Sequence, residues 1–263
     1  MPSDLTPKAG QRPSKARVRQ SFERAASTYD SAADIQRRIC GQLLQGLPGD
    51  APVGRLLDAG CGTGYAQALL QARFPTAQAL ALDLSAGMLQ QITAPCARLA
   101  GDLEHLPLAA ASLDLYWSSL AVQWCELPKV LQEARRVLRV DGRLALASLG
   151  PQTFHELRHA FADVDQYRHT LGFHSVDEIR QMASAAGFAA VDVQESTETA
   201  HYADFKSLLH AVKAIGANQI GDGQRRSLMS RQTFLRAETA FETLRTAAGL
   251  PLTYDVITLY ARA

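Results

Sequence analysis

Arg55-Leu-Leu-Asp58-Ala-Gly60-Cys-Gly62-Thr-Gly64 is the stretch of sequence that decides the fold. A short apolar run leads into three glycines at alternating positions, and apolar residues then recur at helical spacing until Pro75. Glycine lets the backbone turn sharply and come close to a ligand, and the first N–H groups of a helix are free to bind one. The stretch therefore predicts a strand, a ligand-binding turn and a helix, which is the first half of a βαβ unit.

The alternation of strand and helix continues after this unit. Further strands are predicted at residues 78–84, 98–100, 113–118, 143–148 and 191–194, with helices between them. Such alternation is typical of a parallel sheet with helices on both faces, so we expect an α/β, Rossmann-like fold. A last strand is predicted at residues 254–260, and the helical pattern between about 200 and 250 predicts a cap that precedes it.

The composition of the chain excludes several classes of protein. The 263 residues are 47% hydrophobic and 20% charged, which is ordinary for a globular protein. A formal net charge of +1 argues against bulk binding to nucleic-acid phosphates. No apolar run approaches the roughly 20 residues that span a bilayer. Four cysteines without a CxxC pair favour a reducing, cytoplasmic setting over a disulfide framework.

Two familiar nucleotide-binding motifs do not fit the glycine turn. The dinucleotide fingerprint G-x-G-x-x-G needs a third glycine where this chain has Tyr65 or Gln67. A P-loop needs a Gly-Lys-Ser/Thr triplet, which does not follow the turn. Asp58, just before the turn, would repel a phosphate, but it suits a cationic ligand.

Two further acids follow neighbouring strands. Asp83 ends the second predicted strand and Asp102 follows the third, so both should lie at the same edge of the sheet as Asp58. A carboxylate at the end of the second strand can accept hydrogen bonds from ribose hydroxyls. Three acids beside a glycine turn fit a ligand with a ribose, an adenine and a positive charge, and S-adenosylmethionine has all three.

These motifs resemble the class I S-adenosylmethionine-dependent methyltransferases over about residues 54–150. The resemblance implies that the glycine turn packs on the methionine moiety, that Asp83 holds the ribose and that Asp102 meets the adenine amine. The residues expected to bind the cofactor are Tyr29, Gln36, Asp58, Gly60, Gly62, Gly64, Asp83, Leu84, Met88, Asp102, Leu103 and Ser118.

Outside this core the chain is similar to a narrower family, the malonyl-acyl-carrier-protein O-methyltransferases of biotin synthesis (BioC family). The similarity lies at residues 18–36, 120–125, 213–218 and 251–255, and the chain departs from the family at residues 1–16 and 150–152. It implies a helical lid over the cofactor, with Tyr29 and Gln36 near its methionine end. We therefore expect a flexible basic tail at residues 1–17, a lid at 18–50 and the methyltransferase domain at 51–263.

The resemblance also implies a reaction. The methyl group would pass from S-adenosylmethionine to the free carboxylate of malonyl-acyl-carrier protein or malonyl-CoA, leaving S-adenosylhomocysteine. Carboxylates are ionised near neutral pH, so we expect alignment and exclusion of water to matter rather than a general base. Tyr29 and His169 are the candidate catalytic residues. The residues expected to hold the substrate are Gln123, Trp124, His169, Lys213, Arg226 and Arg231.

Other interpretations remain open at this point. The basic bias of residues 221–245 fits docking of an acidic carrier protein, but a solvated helix face explains it equally well. His155-Glu156-Leu-Arg-His159 matches the zinc motif H-E-x-x-H but has no evident third ligand, so we expect no metal. A methyltransferase for a free small carboxylic acid, and a cofactor-binding factor for assembly of respiratory complexes, are the alternative functions. We expect neither a nucleic-acid nor a membrane partner.

Overall fold

One mixed sheet organises the part of the chain that the structure describes. The structure is a computed structural model and describes residues 12–47, 52–164, 170–214 and 230–263. The strands, numbered along the chain, are β1 Arg55–Ala59, β2 Gln78–Asp83, β3 Ala97–Ala100, β4 Leu113–Ser119, β5 Leu138–Leu149, β6 Ala189–Tyr202 and β7 Leu250–Arg262. They lie in the order β3-β2-β1-β4-β5-β7-β6, with β7 antiparallel to both of its neighbours.

Helices cover both faces of this sheet. They are α1 Lys15–Ala25, α2 Asp34–Gly46, α3 Tyr65–Arg73, α4 Ala86–Gln91, α5 Leu127–Val137, α6 His155–Phe161, α7 Val176–Ala185, α8 Phe205–Ala214 and α9 Arg231–Glu242. A short 3-10 helix, Tyr29–Ala32, joins α1 to α2. None of the described helices is long and apolar enough to cross a membrane.

The strand order places a crevice at one edge of the sheet. β1 pairs in parallel with β2 on one side and with β4 on the other, so the direction of winding reverses between β1 and β4. In open α/β sheets a crevice forms at such a point, at the carboxyl ends of the strands. The glycine turn, Asp83 and Asp102 follow β1, β2 and β3, so they all reach this edge.

Apolar side chains fill both sides of the sheet. On one face α5 buries Leu127, Val130, Leu131, Ala134 and Val137, which recur at helical spacing and are almost fully covered. Burying each larger aliphatic side chain contributes roughly 1.5–3 kcal/mol. This packing fixes the strands and therefore the positions of the loops that follow them.

The predicted α/β, Rossmann-like fold is confirmed, and three strands, β5, β6 and β7, are longer than expected. β6 continues to Tyr202 because every residue from Asp192 onward pairs with β7. Many side chains in its second half are polar, so the hydrophobic pattern of the sequence does not predict this part of the strand. β5 begins at Leu138 rather than at residue 143, and Asp141-Gly142 forms an irregularity inside that strand, with Asp141 at a φ of 62°. The region of the expected cap contains α8 and α9, which pack on each other, and α9 also packs on α6.

The N-terminal segment differs from its prediction. α1 begins at Lys15, so the expected flexible tail is wrong for residues 12–17, while residues 1–11 lie outside the described part of the chain. Arg12 and Lys15 hold this segment in place through hydrogen bonds to residues of the sheet edge and of the loop before α7. The helix therefore lies across the crevice from its first turn.

Candidate active site

A cavity of about 990 Å³ occupies the crevice, and it is called the first cavity below. The loops after β1, β2 and β3 form its floor, the loop after β4 forms one wall, and α1 with the start of α2 covers it. The walls thus combine strand ends that the sheet holds rigidly with a separate N-terminal lid.

The glycine turn brings bare backbone to the cavity. Gly60 and Gly62 have φ values of 76° and 54°, a region that L side chains rarely adopt. A Cβ at Gly60 would lie 2.2 Å from the Cβ of Ala121, so no side chain fits there. A Cβ at Gly62 would meet nothing within 4 Å, which shows open space for a ligand beside the turn. The turn is fixed by Gly60 N–H and Cys61 N–H, which donate to the Leu82 carbonyl at 2.7 and 3.0 Å.

Asp83 lies beside this turn. Its Oδ2 accepts a hydrogen bond from Gly62 N–H at 2.9 Å, and its Oδ1 accepts one from Ser85 N–H at 2.8 Å. Burial raises the pKa of Asp83, and the backbone N–H groups oppose that shift. The two hydrogen bonds hold the carboxylate in one orientation while it lines the cavity.

Asp58 is a buried acid at the deep end of the cavity. Only 2% of the residue is exposed, and Gln67 Nε2 donates to its Oδ2 at 3.3 Å. Burial, reinforced by Asp83, raises the pKa of Asp58 to about 7. A cation placed nearby would favour the ionised form.

Asp102 lies at the opposite end, under the start of α1. Lys15 Nζ is 2.8 Å from its Oδ1 and 2.6 Å from Oε1 of the buried Glu104. Partial burial works against ionisation of Asp102, but the hydrogen bond from Lys15 and the N–H of Glu104 lower its pKa. Although burial also works against the charge of Lys15, its neighbours Cys125, Asp102 and Glu104 raise the pKa of its ammonium group.

The lid is attached at its other end as well. Glu23 accepts hydrogen bonds from the Ser85 hydroxyl at 2.6 Å and from Gly87 N–H at 3.0 Å. The ring of Phe22 packs edge-on against Trp124, with centroids 5.7 Å apart. Burial, together with Asp83 and Asp30, raises the pKa of Tyr29, so this phenol keeps its proton near neutral pH.

A second cavity of about 530 Å³ adjoins the first. The two share Phe22, Tyr29, Gln36, Leu120 and Trp124. The remaining walls are mainly apolar and come from the ends of β5 and β7, the start of α6 and the loop before α7: Gln123, Leu149, Phe154, Thr170, Leu171, Phe173 and Tyr254.

Two buried amide oxygens in this region have no hydrogen-bond partner among the described residues. They are Oε1 of Gln36, where the cavities meet, and Oε1 of Gln123 in the second cavity. A buried polar atom without a partner costs free energy, so its presence in a cavity wall indicates a site that a ligand or water completes.

Most of the residues predicted from the sequence to bind the cofactor lie together. The first cavity is lined by Tyr29, Gln36, Asp58, Gly60, Gly62, Asp83, Leu84, Met88, Asp102 and Leu103.

Two residues of that prediction are not in the wall. Ser118 is fully buried and its hydroxyl donates to the Ala59 carbonyl at 2.7 Å, while its neighbour Ser119 lines the cavity. Gly64 caps α3 at a φ of 87°, and a Cβ there would lie 2.8 Å from Ile92. Ser118 therefore faces the interior of the sheet rather than the cavity, and Gly64 is required by the start of α3.

The residues predicted to hold the substrate are more scattered. Gln123 and Trp124 line the second cavity. Lys213 is exposed on α8, and Arg231 lies in a separate groove between α6 and α9, so neither lines the two cavities. His169 and Arg226 lie outside the described residues.

The H-E-x-x-H motif has a different role from metal binding. Glu156 is buried and accepts hydrogen bonds from the hydroxyl and the N–H of Thr253, whereas His155 and His159 are exposed. Among the described residues, the only group of three metal-ligand side chains is Asp102, Glu104 and Cys125, whose ligand atoms lie within 4.8 Å of one another. Lys15 already binds both carboxylates of that group.

The sequence reasoning missed several residues of the first cavity and its lid, and four of them bear on the chemistry of the site. Lys15 falls in the predicted tail, Glu23 has no predicted role within the expected lid, and Cys40 and Cys125 are not among the predicted site residues. A signal for Lys15 was present, because it lies on the same helical face as Val18 and Phe22.

The residues of the first cavity fit an adenosyl sulfonium. Open space beside Gly62 accommodates a ligand against the backbone, two acids offer acceptors for ribose and amine, and Asp58 suits a positive charge. The donor set thus matches S-adenosylmethionine in charge and in hydrogen-bonding pattern.

Comparisons with known proteins lead to the same family. Residues 57–146 match the family model of a methyltransferase domain. The chain is 72% identical over 262 residues to malonyl-[acyl-carrier protein] O-methyltransferase of Dechloromonas aromatica, covering 100% of both chains. It is 40% identical to the biotin biosynthesis bifunctional protein BioHC of Cellvibrio japonicus, covering 92% of this chain and 49% of that protein.

A solved structure shares the fold. Phosphoethanolamine N-methyltransferase 2 of Haemonchus contortus, in complex with S-adenosylhomocysteine, superposes with a TM-score of 0.59 at 15% identity, covering 93% of this chain and 60% of that one. With the fold, the cavity and the full-length relative in agreement, the chain is an S-adenosylmethionine-dependent methyltransferase and belongs to the malonyl-[acyl-carrier protein] O-methyltransferase family.

Proposed function

We propose that this enzyme methylates the free carboxylate of a malonyl thioester, carried by acyl carrier protein or by CoA, in an early step of biotin (pimeloyl) synthesis. The observation that carries the proposal is the pair of joined cavities. One has the charges that suit the cofactor, and the other is an apolar pocket that meets it at Tyr29 and Gln36. The names of the full-length relatives support the same substrate.

Within the first cavity we place the ribose against Asp83 and the adenine amine against Asp102. The glycine turn then faces the methionine moiety, and Asp58 lies near its positive charge. When bound, S-adenosylmethionine supplies an electrophilic methyl group on its sulfonium. The chain holds Asp83 and Asp102 in fixed orientations through backbone N–H groups, so little reorganisation is needed on binding.

The second cavity is the proposed site of the malonyl group. Its walls include Leu149, Phe154, Leu171 and Phe173, which keep water away from the reacting carboxylate. Because an anion and a cation lose charge as they combine, a site with little water speeds the step. The carboxylate is already ionised near neutral pH, so the chain needs no general base.

Tyr29 is the proposed hydrogen-bond donor at the junction of the cavities. Its phenol keeps its proton near neutral pH, so it can donate to a carboxylate oxygen without forming an ion pair. A neutral donor orients the nucleophile and leaves more of its charge available than a lysine or arginine would. Gln36 lies beside it with an unpartnered amide oxygen. His169, predicted from the sequence to share this role, lies outside the described residues.

The cap offers a surface for the carrier protein. The groove between α6 and α9 is lined by the basic side chains Arg231 and Arg236, by His159, by one acid, Asp163, and by Leu235, which is 47% exposed; Lys213 lies on neighbouring α8. Acyl carrier proteins are acidic, so a basic surface with an apolar centre is complementary to them. We propose that this groove docks the carrier protein.

Mass spectrometry of malonyl-acyl-carrier protein after incubation with the enzyme and S-adenosylmethionine tests the proposal. The expected result is the mass gain of one methyl ester, absent with acetyl-acyl-carrier protein, which has no free carboxylate. Malonyl-CoA and free malonate run in parallel identify the preferred carrier.

The outcomes separate the alternatives. Methylation of free malonate but of neither thioester would favour an enzyme for small acids. Formation of no S-adenosylhomocysteine with any acceptor would favour a cofactor-binding assembly factor and contradict the proposal.

A further inference from the structure

The lid helix places a cation inside a cluster of acids. Lys15 Nζ lies 2.8 Å from Asp102 Oδ1, 2.6 Å from Glu104 Oε1 and 3.4 Å from Cys125 Sγ. The two carboxylates and the thiol approach within 4.8 Å of one another. Glu104 is buried and its Oε1 also accepts a hydrogen bond from Glu126 N–H at 2.8 Å, so it cannot turn away from Asp102 without losing partners.

The two oxygens of Asp102 are used differently. Oδ1 accepts both the Lys15 ammonium group and Glu104 N–H, the latter at 3.0 Å. No donor from the described residues is bonded to Oδ2, although the residue lines the first cavity. An ionised carboxyl oxygen without a partner is a strong acceptor for a ligand N–H group.

The position of Lys15 depends on the lid as a whole. Arg12, one turn earlier, donates to the Gln123 carbonyl and lies 3.0 Å from His174 Nε2. Eight residues beyond Lys15, Glu23 binds Ser85 and the N-terminus of α4. These contacts fasten α1 across the cavity and hold Lys15 over Asp102.

We propose that Lys15 is a positioning residue for the cofactor: reaching over from the lid, it occupies Oδ1 of Asp102 and leaves Oδ2 directed to the exocyclic amine of adenine. Recognition of the base therefore depends on α1 lying over the cavity. The inference rests on the proposed placement of adenine against Asp102.

The physical reason is repulsion between neighbouring carboxylates. Without the ammonium group, Asp102 and Glu104 would face each other as two anions, and such a pair shares a proton or moves apart. A protonated or rotated Asp102 no longer presents a fixed acceptor. Lys15, held over Asp102 by α1, offsets that repulsion.

The test compares two ligands of equal charge by calorimetry. S-adenosylhomocysteine carries the amine, whereas S-inosylhomocysteine has a carbonyl oxygen in its place and offers Asp102 an acceptor instead of a donor. We expect the wild-type chain to bind the adenosyl ligand at least about tenfold more tightly. In Lys15→Gln the ratio of the two affinities, adenosyl over inosyl ligand, should fall to about threefold or less. Lys15→Arg keeps the positive charge and should retain most of the wild-type ratio.

A matched control removes a lysine close by. Lys129→Gln loses the same charge from an exposed ion pair with Glu126, and it should leave the ratio unchanged. Circular dichroism of every variant checks that the fold is retained. Because both ligands have the same charge, a general electrostatic effect of Lys15 cancels in the ratio.

The outcomes distinguish this inference from the placement on which it rests. If Lys15→Gln weakens both ligands equally, Lys15 only fastens the lid and the inference is overturned. If Asp102→Asn also leaves the ratio at its wild-type value, the adenine does not lie against Asp102 and the placement itself is wrong. A collapse of the ratio in both variants supports both statements.

Discussion

The two ends of the active site were specified by the sequence in different ways. At the cofactor end, short motifs after β1, β2 and β3 meet because the carboxyl ends of parallel strands share one edge. At the proposed substrate end, the walls of the second cavity come from Gln123, Phe154, Phe173 and Tyr254, which lie on four separate segments joined only by tertiary packing. A site made from consecutive strand ends can be read from local sequence, whereas a site assembled from distant helices and loops cannot.

Removing the acid after β2 should give the largest effect. In Asp83→Ala the ribose loses a charged acceptor and Gly62 N–H loses its partner, so we expect affinity for S-adenosylhomocysteine to fall by about 100-fold or more. Calorimetry of the variant measures this loss.

A matched acid gives the control for this measurement. Asp177→Ala on α7 removes an exposed acid paired with Arg180, far from the strand ends, and should change the affinity by less than about twofold. If Asp83→Ala lost less than threefold of its affinity for S-adenosylhomocysteine, the ribose would not lie against Asp83 and the prediction from the sequence motif would be wrong.

The pH dependence of cofactor binding should be nearly as informative. The pKa of Asp58 is raised to about 7 by burial, so the free protein holds a proton there at pH 6 and has largely lost it at pH 7.5. A cationic ligand favours the ionised form, so binding releases that proton and affinity rises with pH. From the shift we expect roughly a tenfold gain for S-adenosylmethionine between pH 6 and 7.5.

Asp58→Asn removes the titrating group and should flatten this profile. Calorimetry in two buffers with different ionisation enthalpies counts the protons released. An unchanged slope in the variant would assign the titration to another group and would remove Asp58 from the cationic end of the site.

A substitution in the second cavity should weaken substrate binding without changing cofactor binding. Phe173→Ala opens an apolar wall that only the second cavity uses, so we expect KM for malonyl-acyl-carrier protein to rise by about fivefold to tenfold. Affinity for S-adenosylhomocysteine should stay within twofold of the wild type. Equal losses of both would mean that the cavities act as a single site.

The smallest effect is expected at the surface of the cap. Arg231→Glu reverses a charge in the groove between α6 and α9, and KM for malonyl-acyl-carrier protein should rise by about threefold to fivefold at low salt. KM for malonyl-CoA should not change. Arg180→Glu on α7 provides the control, and an equal response of both variants would contradict docking at this groove.

The fold and the residues that line the first cavity at the strand ends could be predicted from the sequence further than the lid could. Gly60, Asp83 and Asp102 were found because turn chemistry and strand order act over short distances. Lys15 was missed because its importance depends on a contact with Asp102 across 87 positions of the chain. Such a contact has no local signature beyond helical spacing.

The residues that the structure places outside the cavities also have physical explanations. Ser118 was expected in the cavity from the family resemblance, but its side chain lies on the face of β4 where its hydroxyl donates to the Ala59 carbonyl. Lys213 and Arg231 were chosen for their charge, but packing of α8 and α9 on the outside of the molecule holds them away from the second cavity. The charge of a side chain does not by itself predict how far that side chain lies from a cavity.

Calorimetric titration of the folded protein with S-adenosylhomocysteine tests the central claim most directly. The account predicts saturable binding of one molecule per chain at the crevice between β1 and β4. A folded sample that takes up no ligand at millimolar concentration would contradict it.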